Sequence, residues 1–454
     1  MLLSEIAKFL SLPFKGPDLT VGSVSIDTRT LKAGDVFVAI QGDRLDGHQF
    51  LQEAYQKGAS GLIISKDFNL SLEIPIPFLQ VSDTTQALGA MATLWRSHLN
   101  VPVIGITGSC GKTSVKELTR AVLATEGPVL ASEGTFNNHW GLPLTLLQIK
   151  PEHCFAVLEM GTNHPGEIGY LAKIARPNVA LITNVGPVHV EGFGTLDNIA
   201  KEKSDIYAYL KPGDTAILNR DDPYFQDWMA RLPSGVHTLT FSLSKKADLM
   251  AEDITFVDGM PRFTLRQGAE TVPVHLNVLG QHQIANALAA CAVGVTFHLS
   301  LSQIASGLNA YAGFKGRLRK IPGKRGAQLI DDSYNANPTS VKAAIDVLAQ
   351  SRGKRMLILG EMAELGPESP NFHQEVGGYA KQQGIQYLWA VGKECIHAVN
   401  QFGKGAKFFD SKEQLVQDLD NLIDDTFTIL VKGSRRVKME TIVTALAEEQ
   451  VKTC

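Results

Sequence analysis

The stretch Gly105-Ile106-Thr107-Gly108-Ser109-Cys110-Gly111-Lys112-Thr113-Ser114 decides the fold. An apolar, strand-like run precedes it at 101–104, and Val115, Leu118 and Val122 follow at i, i+3 and i+7, the spacing of one helix face. Strand, glycine-rich turn, Lys-Thr and helix, in that order, gather backbone N–H groups and a helix N-terminus around a polyphosphate. Lys112 would reach the terminal phosphates and the Thr113 hydroxyl would sit on Mg²⁺. The common GxxxxGK[ST] form wants glycine at 106, which is Ile; the glycines stand at 105 and 108 instead. A bland turn accounts for two glycines, but Gly-Lys-Thr at a strand-to-helix switch favours nucleotide binding.

A chain of 454 residues exceeds the range over which one core keeps growing, so about three domains are expected. With 20% charged residues and a net charge of −3, there is no electrostatic case for nucleic acid or a membrane surface. No apolar run approaches the roughly 18 residues that a membrane span needs; the stretch 287–297 reads as a buried helix. The N-terminus lacks a basic segment before an apolar core, so no secretory signal is expected. Five scattered cysteines (Cys110, Cys154, Cys291, Cys395 and Cys454) form no CxxC pair and no zinc spacing. An odd count fits a reducing compartment, and the cytoplasm is the expected location.

No repeat at a fixed period of 20–50 residues is visible, which argues against a solenoid. Residues 1–82 read as a small α/β unit, with strands at 24–26 and 36–40 and a helix at 50–57. A helical pattern at 84–99 leads into the phosphate loop. Strand-like runs recur at 156–158 and 179–182 with helical patterns between, the alternation of a mostly parallel, doubly wound sheet. After Gly313-Phe-Lys-Gly316 a third unit begins, its apolar runs at 328–330, 356–359, 387–391 and 428–431 again separated by helical patterns. The expected divisions are 1–82, 83–313 and 314–454.

Several segments beyond the loop carry polar groups at strand ends. The run 155–158 ends in Glu159, where a ligand to Mg²⁺ belongs when the strand neighbours a phosphate loop. His189 follows another apolar strand, where packing or capping is the commoner role. In Ala200-Lys201-Glu202-Lys203 the two lysines point to different helix faces, and residue chemistry alone makes both solvated. Asn286 falls in the first turns of an alanine-rich helix, within reach of a ligand edge. The polar run from Asp331 to Pro338 closes a strand, a ligand-facing position in an open α/β sheet.

The ordered set TGSCGKTS, FNNHWGLPLTLL, EMGTNHPGEI, TNVGPVHVEGF, AKEKSDIY, GQHQIANALAA, DDSYNANP, GEMAELG and KGSRRVKME resembles the Mur ligases of peptidoglycan precursor synthesis over essentially the whole chain. Within that family, DDSYNANP followed by GEMAELGPES is most similar to the members that add D-alanyl-D-alanine. The resemblance implies a three-domain α/β architecture: a UDP-sugar-binding N-terminal domain, a central P-loop ATPase-like parallel-sheet domain and a Rossmann-like C-terminal domain. It implies ATP-dependent amide-bond formation between D-alanyl-D-alanine and UDP-N-acetylmuramoyl-tripeptide through an acyl phosphate. The expected partners are these small molecules alone, with the chain acting as a monomer.

The resemblance also carries site roles. Gly108, Ser109, Cys110, Gly111, Lys112, Thr113 and Ser114 match the ATP-binding loop, and Asn286 matches an adenine contact. Arg317 and Asp332 match nucleotide contacts from the C-terminal domain. Thr113, Glu159 and His189 match Mg²⁺ ligands, and Lys203 matches a lysine that these enzymes carboxylate to N6-carboxylysine. Lys112, His189 and Lys203 are thus the implied catalytic set. Asn137, Asn138, Asn335 and Asn337, with Thr28, Arg29, Asp46 and His48 of the first domain, resemble substrate-facing positions. Two residues depart from the usual pattern: Cys110, where small or polar residues are more common, and Arg319, where a neutral or acidic one is.

The rivals are a sibling ligase adding the third amino acid, a folylpolyglutamate synthase, a GTPase-type switch and a non-catalytic binding module. No Asn-Lys-x-Asp motif for guanine is present. Retention of Lys112, Glu159, His189 and Lys203 together speaks against loss of chemistry.

Overall fold

The computed structural model describes residues 1–14, 17–42, 44–68, 74–134, 136–188 and 190–448. Three sheets follow one another along the chain. The first has four parallel strands in the order Val24–Ser25, Val36–Val38, Gly61–Ser65 and Phe78–Val81.

The second sheet has nine strands and holds the phosphate loop. Its parallel part runs Val129–Ala131, Phe155–Glu159, Val103–Thr107, Val179–Ile182, Thr215–Asn219, His237–Ser242. Phe155–Glu159 and Val103–Thr107 are buried at every position, as strands covered by helices on both faces must be. One face packs on Lys112–Leu123 and His282–Thr296: Val115, Leu118 and Val122 lie in the same core as Ala287, Leu288 and Ile284. The other face packs on Glu167–Ala175 and Gly141–Leu147. The chain winds first to one side of Val103–Thr107 and then to the other, so a crevice opens at the carboxyl end of that strand.

The stretch 287–297 falls in the helix His282–Thr296 and its cap, and is buried as far as Gly294, as its composition implies. Several strands of this sheet went unread in the sequence: Val129–Ala131, Thr215–Asn219, His237–Ser242 and the edge beyond them. Leu249–Val257 joins in parallel, and Met260–Gln267 and Glu270–His275 then extend the edge antiparallel. The first hairpin turns at Asp258-Gly259, both with positive φ (51° and 79°), the backbone of a type I′ turn.

The third sheet has six strands in the order Arg319–Pro322, Gln328–Asp332, Phe427–Lys432, Lys354–Gly360, Tyr387–Val391, Ala406–Phe409, parallel except for the first pair. We propose 1–82, 83–313 and 314–454 as the domains built on these sheets. The helix Thr84–Ser97 lies at the first division: Ala87, Leu88 and Met91 pack in the first domain's core, and Ala92 in the central one. Among the described residues no helix is long and apolar enough to cross a membrane.

Candidate active site

The glycines of the loop stand where a side chain would collide. A Cβ on Gly108, at φ +148°, would lie 1.9 Å from Thr183 Oγ1, and one on Gly111, at φ +82°, would lie 2.6 Å from Asn286 Oδ1. The strand end at Thr183-Asn184 latches the loop. Asn184 accepts from the Ser109 N–H through its carbonyl (2.9 Å) and from the Cys110 N–H through Oδ1 (3.0 Å). Thr183 Oγ1 and Asn184 Nδ2 donate to the Cys110 carbonyl at 2.6 and 3.1 Å. Sequence reasoning gave these two residues no role, because a Thr-Asn pair after a strand looks like an ordinary turn.

Lys112 Nζ donates to the Gly108 carbonyl at 2.8 Å, inside the loop it belongs to. Burial holds its ammonium below the usual lysine range, against the pull of Glu159. Thr113 Oγ1 donates to Glu159 Oε2 at 3.0 Å, and Asn137 Nδ2 donates to Oε1 at 2.9 Å. Glu159 is buried, so its carboxylate is aimed by two side chains from different segments.

The C-terminal domain reaches the same point. Arg317 Nη2 donates to Thr113 Oγ1 at 3.2 Å while its guanidinium stacks 4.2 Å from the centre of the Tyr334 ring. Its Nε is buried without a hydrogen-bond partner. Asn337 caps the helix Pro338–Ala349 through Oδ1 (2.8 Å to Ser340 N–H), and its Nδ2 lies 3.3 Å from Cys110 Sγ. A cleft of about 400 Å³ runs between these parts, lined by the loop, Asn137, Asn138, Glu159, Arg317, Asn335 and Asn337. Ser434, Arg435 and Arg436 also line it, and the sequence reading quoted their segment without assigning them a task.

Lys203 departs from what residue chemistry alone suggests. Its neighbour Lys201 is exposed, but Lys203 is buried, and burial together with the like charge of Lys112 pushes its amine down to about 7. Asn286 is buried behind Gly111, bonded to Gln283. His189 lies outside the described residues.

Other residues expected at the site make contacts within the fold. Asp332, matched to a nucleotide contact, pairs with Lys432 at 2.6 Å and accepts from the Leu318 N–H at 3.2 Å; with Asp331 on the Gly316 N–H at 3.0 Å, it pins the segment that carries Arg317. Asn138 Oδ1 accepts from the Gly141 N–H (2.9 Å) at the start of Gly141–Leu147. His48, expected to face substrate, is hydrogen-bonded within the first domain. Its Nε2 accepts from the Ser65 N–H (2.9 Å), so Nδ1 carries the proton and donates to Asp46 (2.6 Å), leaving neither nitrogen for a ligand. Asp46 is engaged through Oδ1, which also accepts from the His48 N–H at 3.0 Å. Arg29 pairs with Asp27 in solvent, and the buried Thr28 offers its carbonyl to Lys57. None of these four lines the cleft.

Three family models match in sequence along the chain: "Mur ligase family, catalytic domain" at 20–96, "Mur ligase middle domain" at 106–294 and "Mur ligase, glutamate ligase domain" at 316–435. The UDP-N-acetylmuramoyl-tripeptide–D-alanyl-D-alanine ligase of Escherichia coli is 40% identical over 98% of both chains. The chain belongs to the Mur ligase family. Like other members of that family, this Mur ligase has a three-domain α/β architecture with parallel-sheet domains. It superposes on MurF of Acinetobacter baumannii with a TM-score of 0.89 at 32% identity, covering 97% of each chain. MurF of Thermotoga maritima in complex with ADP gives 0.82 at 28% identity, over 93% of this Mur ligase and 96% of that chain.

Proposed function

We propose that this Mur ligase joins D-alanyl-D-alanine to UDP-N-acetylmuramoyl-tripeptide, using ATP. The observation that carries this reading is the single cleft in which the phosphate loop, Asn137–Glu159 and the C-terminal Arg317 and Asn337 meet. Full-length relatives with that name support the choice of substrates.

The terminal carboxylate of the tripeptide attacks the γ-phosphorus and ADP leaves, giving an acyl phosphate. The amine of the dipeptide then attacks the acyl carbon, loses a proton and displaces phosphate. Two anions must approach in the first step, and Lys112 with Arg317 supply positive charge at that point. Thr113 and Glu159 would hold Mg²⁺. Phosphate oxygens and water would complete the shell of such an ion. Bound there, Mg²⁺ would neutralise charge developing on the phosphates. The depressed amine of Lys203 suits carboxylation by CO₂, in which the neutral nitrogen bonds to carbon and releases a proton.

Phosphate release by purified protein with ATP, Mg²⁺ and UDP-MurNAc-tripeptide is expected to require D-alanyl-D-alanine. No stimulation by the dipeptide, with either a diaminopimelate or a lysine tripeptide, would sink the reading. Cys110 gives a second check, because its thiol lies in the loop and is partly exposed. ATP is expected to slow its alkylation by at least a few-fold, as mass spectrometry of the labelled peptide would show; equal labelling with and without ATP removes Cys110 from the ATP contacts.

A further inference from the structure

The phosphate-loop helix carries a second buried cation that the reaction above does not use. Lys116 is fully buried; its Nζ donates to the Ser132 carbonyl at 2.5 Å and pairs with Glu117 Oε1 at 3.0 Å. The other oxygen of Glu117 takes Arg120 Nε at 2.8 Å. A buried ion pair is weak evidence for stability, since apolar groups of similar volume often serve as well. Its neighbours point to a different purpose.

Ser132 Oγ accepts from the backbone N–H of Glu159 at 3.1 Å. Five residues on, Asn137 donates to Glu159 Oε1 and its carbonyl accepts from the Gly161 N–H at 2.8 Å. The remaining carboxylate oxygen takes Thr113 Oγ1, one turn before Lys116 on the same helix. Glu159 is therefore gripped by two separate segments, the helix and the stretch 132–137, and Lys116 ties one to the other. Its ammonium also lies 5.6 Å from the centre of the Phe314 ring, three residues before Arg317.

We infer that Lys116 is a positioning residue for the Thr113–Glu159 pair, fixing the spacing at which that pair receives the Mg²⁺ of the nucleotide. The inference rests on the reading of Thr113 and Glu159 as metal ligands. Glu117 keeps Arg120 as a partner when Lys116 is replaced, so Lys116→Met leaves no unpaired buried carboxylate.

The test is calorimetric binding of ADP to full-length protein, in Mg²⁺ and in EDTA, for wild type, Lys116→Met and Ser132→Ala. The gain in ADP affinity conferred by Mg²⁺ is expected to fall about 10-fold in Lys116→Met, the size of an ordinary coupling between sites, and several-fold in Ser132→Ala. Affinity in EDTA is expected to stay within about 2-fold of wild type, since phosphate-loop contacts are untouched. A gain retained in Lys116→Met, or equal losses there with and without Mg²⁺, overturns the inference and leaves Lys116 a packing residue. If Lys116→Met does not fold, Lys116→Gln decides in its place, since Ser132→Ala keeps the carbonyl to which Lys116 donates. Wild-type ADP binding that ignores Mg²⁺ would remove the metal reading itself, and the inference with it.

Discussion

Replacing Lys112 by Met is expected to lower dipeptide-dependent phosphate release roughly 10²–10³-fold, the cost of losing one donor aimed at developing charge. The same change is expected to leave the melting temperature unchanged or higher. Both halves follow from burial, which holds the ammonium below the usual lysine range. An unfolded chain binds the proton more readily than the folded one, so the charged form of Lys112 costs stability at neutral pH. Removing it returns that stability. Electrostatically the site is built for an anion. Steady-state turnover and thermal unfolding on the same preparation separate the two effects. A variant that keeps more than a tenth of the turnover, or melts well below wild type, would show that Lys112 serves the loop's shape instead.

The second large effect is expected at Lys203. Lys203→Ala should lose about 10–100-fold in turnover, in line with the loss of a group supporting a metal ligand set. Acetate or propionate, placed in the space left by the side chain, should restore part of it. The amine titrates at about 7 because it is buried near Lys112. Only its neutral form captures CO₂, so CO₂-depleted wild type should lose activity as pH falls through 7 and regain it with bicarbonate above that point. Unchanged turnover in Lys203→Ala would exclude the carbamate.

Those two lysines show what a sequence can and cannot convey. Lys112 is legible because its neighbours along the chain define it: a strand, two glycines that clear Thr183 and Asn286, and a helix start. Lys203 and Lys116 are illegible for the opposite reason. Each sits on a helix with polar residues around it, and only packing between distant segments buries it. Parallel strands such as Phe155–Glu159 and Val179–Ile182 were readable from continuous apolar runs, since both faces are covered, whereas Val129–Ala131, Thr215–Asn219 and His237–Ser242 were not read. The antiparallel edge at Leu249–His275 was missed because its half-exposed strands mix polar and apolar residues, although the Asp258-Gly259 turn was a usable signal. In the first domain, the hydrogen bonds that Asp46 and His48 make to each other and to the backbone leave no trace in a sequence.

The helix Thr84–Ser97 has a consequence for how such chains can be cut and recombined. Its apolar residues are shared between two cores, so a break after 82 would strip Ala87, Leu88 and Met91 from the first domain and leave them facing water. The segment 314–318 is held to the last domain by the Gly316 and Leu318 N–H groups donating to Asp331 and Asp332, and it travels with that domain. A chimaera between relatives would therefore tolerate a junction near 313 far better than one near 82. In such an exchange the first two domains move as one piece, and the third is the part to swap.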